Sequence, residues 1–77
     1  MAEAAAGIIW RKNFIKRMIK ALDETSMETA KTREELDIGI LERAILDSLV
    51  DRERKDQEGR TVIIRKTPDS KYYLEKL

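Results

Sequence analysis

Apolar residues recur at helical spacing near the start of the chain. Ile8, Ile15, Ile19 and Leu22 form one row, and Trp10, Phe14 and Met18 form an adjoining one. Residues three and four apart share a helix face, so the spacing predicts an amphipathic helix over 8–22. This stripe is wider than one small core requires, which leaves part of it for a seam with a second copy. The opposite face is basic. Residues 1–7 are Ala-rich and read as a frayed end or the first turn of that helix. Thr25 or Ser26 can cap a short helix over 26–31, where Met27 and Ala30 are the apolar residues. Thr32 and Glu35 have the spacing of a capping box. Leu36, Ile40, Leu41, Ala44, Ile45 and Leu49 follow, and they predict a helix over 33–47. Gly39 inside it costs about 1 kcal/mol relative to Ala and predicts a kink or a close approach to the first helix.

The period then changes. Thr61-Val62-Ile63-Ile64 is a β-branched run that favours a strand, with Val62 and Ile64 on one side and Ile63 on the other. Gly59 permits the reversal before it. The expected β-ribbon has arms over 49–55 and 60–66. The first arm is rich in Asp, Glu, Arg and Lys, so the preceding helix running on toward residue 56 is the rival reading. Thr67-Pro68 suits a helix start, and Tyr73, Leu74 and Leu77 would share a face of a C-terminal helix over 68–76. The rival there is a β-turn over Thr67–Ser70 followed by a strand. These elements define an α+β chain, one domain over 1–77, with no internal repeat.

Composition narrows the chemistry. A chain of 77 residues buries little surface and is marginal alone. It has neither Cys nor His, so neither disulfides nor the usual zinc and iron–sulfur sites are expected. Oligomerisation is a common remaining way to stabilise so small a core. No triad with a His base can form. Glu34 and Glu35, like Asp51 and Glu53, lie among Lys and Arg and read as a solvated face. Gly7, Gly39 and Gly59 are too scattered for a phosphate loop. An enzyme is therefore not expected, nor a cofactor or metal. No apolar run approaches the roughly 20 residues of a membrane span, and no signal peptide is visible, so the expected setting is cytoplasmic.

Net charge is only +1, but its distribution is uneven. Residues 1–20 hold five bases and one acid, residues 21–60 seven bases and twelve acids, and residues 61–77 four bases and two acids. Such asymmetry can build a basic face on a near-neutral molecule. Mixed charge can equally serve solubility alone.

The order of elements resembles a small winged helix, a helix-turn-helix variant with a β-ribbon wing, and is most similar to the wing region of MarR-type transcriptional regulators. Leu49-Val50-Asp51-Arg52 resembles the first wing strand, Asp56-Gln57-Glu58-Gly59-Arg60 the charged tip, and Thr61 to Lys66 the second strand. Thr67-Pro68 with Tyr73 to Leu77 resembles the helix that leaves the wing. The resemblance implies a dimeric regulator of transcription that binds double-stranded DNA. Arg52, Arg54, Lys55 and Arg60 would contact phosphate or the minor groove, Arg33 and Arg43 would face the major groove, and the 8–22 helix would join the subunits in a homodimer. An alternative is a protein–protein interaction module on the same fold. In that case the 33–47 helix, with Glu34, Glu35, Asp37 and Glu42, would meet a basic partner, or the apolar excess on 8–22 would bind another chain.

Overall fold

The computed structural model describes residues 2–77, with side chains from Gly7 onward. Helix α1 spans Ala2–Ala21. It starts earlier than the predicted helix, as its Ala-rich first turns favour, and ends one residue sooner. Phe14, Met18, Ile19 and Leu22 are buried. Ile8, Ile9 and Trp10 are exposed, because the first half of α1 extends past the core. Glu24, at φ 64°, turns the chain away.

The short helix expected over 26–31 is absent. Ser26 and Thr29 close a single turn, with the Ser26 amide donating to Thr29 Oγ1 at 2.8 Å. Met27 is exposed, so a helix here would bury no face to offset its nucleation cost. Lys31 instead bridges to Tyr72 in antiparallel fashion, through two backbone hydrogen bonds of 2.8 Å.

The 33–47 helix is also corrected. Its capping box forms: the Thr32 amide donates to Glu35 Oε1 and the Glu35 amide to Thr32 Oγ1, both at 3.1 Å. The helix then stops after one turn. Asp37 adopts φ 55°, and the Ile38 and Asp37 amides donate back to Arg33 O and Glu34 O. This is the Schellman pattern of a helix end. The cause lies in Leu36 and Ile38, both of which are buried. Two residues apart, they would point to nearly opposite sides of a helix, so an irregular backbone is needed to bury both. Gly39 is therefore the cap of a new helix, α2, spanning Ile40–Leu49. Glu42 Oε1 accepts from the Gly39 amide at 3.1 Å. Leu46 and Leu49 face the core.

Strand β1 is only Glu53–Lys55. The expected arm over 49–55 is shorter because Leu49 ends α2, and Asp51 turns the chain at φ 68°. Strand β2, Thr61–Lys66, matches the second arm closely. The C-terminal helix expected over 68–76 is a strand, β3, Tyr72–Lys76. Tyr72 and Leu74 are buried at a spacing of two residues, which a strand allows and a helix does not. Thr67 to Ser70 form the rival turn, with Thr67 Oγ1 accepting from the Lys71 amide at 3.0 Å.

The antiparallel sheet has the order β1-β2-β3. Val62, Ile64, Tyr72 and Leu74 meet Phe14, Met18, Leu22, Leu46 and Leu49 in one core cluster. Two helices against a three-stranded antiparallel sheet make the chain a small α+β domain. Among the described residues no helix is long and apolar enough to cross a membrane.

Candidate nucleic-acid interface

The ribbon positions its bases by strand alternation. Arg54 pairs with Val62 in the β1–β2 register, so its side chain leaves the sheet on the face that α1 covers. Arg54 is half-buried, and its Nε is buried without a hydrogen-bond partner among the described residues. Burial lowers the affinity of its guanidinium for a proton, and the nearby charges of Arg52 and Arg11 act in the same direction. The group stays protonated at neutral pH regardless. Arg11 stands on α1 one turn before Phe14, where the helix leaves the core.

A separate cleft of about 290 Å³ has Lys16 and Lys20 of α1, Lys55 of β1 and Arg60 in its lining. Lys55 Nζ donates to Thr61 Oγ1 at 2.6 Å. Among the described residues, Arg11, Lys16, Lys20, Arg52, Arg54 and Lys55 form no ion pair. The cleft also holds Asp23, Asp56 and Glu58, but each of these faces Arg60 within 4 Å, and Asp23 also meets Lys76 at 2.8 Å.

Of the remaining sequence-predicted bases, Arg60 also lines this cleft, and Arg33 and Arg43 lie elsewhere. Arg60 is held at the hairpin tip, with Nε 2.7 Å from Asp56 Oδ2. That hydrogen bond, above all, raises its pKa. Arg33 closes the turn before α2, donating to Ile38 O at 3.1 Å and to Glu34 Oε1 at 3.3 Å. Arg43 is half-buried on α2 and forms no ion pair among the described residues. The charges of Arg52 and Arg11 act on Arg54, whereas Lys55 leaves the strand on the other face and shares the cleft with Arg60; Arg33 and Arg43 lie on the turn before α2 and on α2. Arg11 belongs beside Arg54, and Lys16 and Lys20, on another side of α1, belong beside Lys55 and Arg60. Their signal was the basic face of the first helix, but nothing in the spacing says which strand that face meets.

The exposed face of α2 carries Ile40, Leu41, Ala44, Asp47 and Ser48. It is apolar and acidic, with none of the Arg, Asn or Gln side chains that most often read base edges. Among the described residues no cluster of carboxylates suits a metal ion. No protein-family model matches the chain, and no curated protein or solved structure is similar to it.

Proposed function

We propose that the chain binds double-stranded DNA through its phosphate backbone, using the surface shared by α1 and β1. The observation that carries this reading is the half-buried Arg54, whose Nε has no hydrogen-bond partner and which, like Arg11 and Arg52, forms no ion pair among the described residues. Like charges held together in a partly desolvated place favour an anion that neutralises several at once. Lys16 and Lys20, one helical turn apart on another side of α1, add a second basic strip beside Lys55. A long polyanion suits that shape better than a small one. The ribbon would then act as the wing of a winged-helix-like domain, and α1 would supply the second row of contacts. Base reading by Arg33 has little support, since it is engaged within the fold, and Arg43 is half-buried on α2. The expected binding is accordingly weakly sequence-selective. A cytoplasmic, regulatory role without a cofactor belongs to the same proposal.

One observation favours the protein-interaction alternative: Ile40 and Leu41 of α2 are 76% and 82% exposed.

The test is a titration of labelled random duplex DNA at low and moderate salt. Binding that weakens steeply with salt is expected, with a non-specific Kd of about 10⁻⁴–10⁻⁶ M at physiological salt. No binding at micromolar protein in low salt overturns the proposal. Loss of binding in Arg52→Gln/Arg54→Gln, but not in Arg60→Gln, locates the contact on β1.

A further inference from the structure

We infer that the chain self-associates, with a second copy covering the apolar surface between the first half of α1 and the entrance to α2. Trp10, Gly39, Ile40, Leu41, Glu42 and Ile45 line an open apolar groove there. Ile8 and Ile9 on the projecting half of α1 are each 58% exposed. Scattered apolar residues on a surface are ordinary. Here they are concentrated on two elements, and α1 carries its own beyond the last core contact at Phe14.

Charge identifies the occupant. Lys12 follows Ile8 and Ile9 at one helical turn and is exposed. Glu34, Glu35 and Asp37, also exposed, precede Ile40 and Leu41. One surface is apolar and basic, the other apolar and acidic, and both belong to the same chain. Within one copy this chemistry already joins the two elements, since Arg17 of α1 meets Glu42 of α2 at 2.6 Å. In a two-fold pair each α1 would lie on the partner's α2 entrance, and both complementary patches of both copies would be covered at once. An unrelated partner would have to supply both charge signs in the right places. The small core gives the association a further use, because pairing buries apolar surface that the single chain cannot.

Self-association does not depend on DNA binding and is tested without DNA. Sedimentation velocity of the full chain over a concentration series should show a monomer–dimer equilibrium that high salt weakens. Leu41→Asp and Ile9→Asp should each raise the dimer dissociation constant by about tenfold or more. Both positions are exposed, and an acid in the first turn of α2 complements the helix dipole, so circular dichroism should be unchanged. The complementary variants Lys12→Gln and Asp37→Asn should weaken the dimer less and remove its salt dependence in part. A chain that stays monomeric throughout, or a dimer that either aspartate variant leaves intact, overturns the inference.

Discussion

The buried hydroxyl of Tyr72 donates to the carboxylate of Asp47, and so ties β3 to α2. Lys66 Nζ reaches the same Asp47 oxygen at 3.1 Å and lies over the Tyr72 ring. Burial alone would raise the Asp47 pKa, but the hydrogen bonds from Tyr72 and Lys66 outweigh it and hold the carboxylate below its ordinary range. Tyr72→Phe keeps the ring in the core and removes one donor. The loss should be about 1–2 kcal/mol, moderated by the Lys66 contact that remains. Urea denaturation of the two proteins measures it directly.

Asp37 lies in the left-handed region at φ 55°. Asp tolerates this backbone better than most residues, and a β-branched residue tolerates it poorly. Asp37→Val should cost about 1–2 kcal/mol, whereas Asp37→Gly should be close to neutral. A similar loss for both would mean that the side chain, not the backbone, matters at this position.

The hairpin tip should be sensitive to acid. Asp56 Oδ1 accepts from the Glu58 and Arg60 amides, each at 2.9 Å, and Oδ2 from Arg60 Nε at 2.7 Å. Burial raises its pKa, but these bonds outweigh burial and bring it below 3.8. A carboxylate with a depressed folded pKa stabilises fully above the unfolded value. That contribution disappears as pH falls from about 3.8 toward the lower folded value. Asp56→Asn should therefore flatten the acid limb of a plot of Tm against pH and leave the slope near neutrality unchanged.

Salt dependence gives a count of phosphate contacts. Each neutralised phosphate contributes about −0.9 to the slope of log K against log salt, so removing Arg52 and Arg54 together should reduce the slope by about 2. Arg33→Gln should leave the slope unchanged while lowering Tm, because that guanidinium holds the turn before α2.

Which parts of the fold were legible follows from what each pattern constrains. The stripe through Phe14, Met18 and Leu22 repeats at helical spacing, and Thr61 to Ile64 is a β-branched run, so α1 and β2 were readable. Gly59, at φ 80°, marks the hairpin reversal as expected. Thr67-Pro68 misled because a good helix cap and a good turn use the same residues. The decisive fact was that Tyr72 and Leu74 are buried together, and the sequence Tyr72-Tyr73-Leu74 permits either alternation. The capping box at Thr32 was read correctly, but the helix after it could not survive burial of both Leu36 and Ile38. For the candidate interface, the charges on α1 and on β1 were each visible. Their juxtaposition is a tertiary fact, set by how α1 crosses the sheet, and no local spacing records it. The acids that neutralise Arg60 include Asp23, which is remote in sequence.

Among the described residues the outer side of β1 pairs with no other strand, and a free strand edge invites another chain to add to the sheet. This edge is only three residues long, and all three, Glu53, Arg54 and Lys55, are charged. Short, charged edges resist such growth because a second strand would partly bury their charges. The bases proposed to meet phosphate thus also guard the sheet against edge-to-edge aggregation. Evolution toward weaker anion binding at this strand would remove that guard as well, which leaves the three positions less free to become apolar than their exposure suggests.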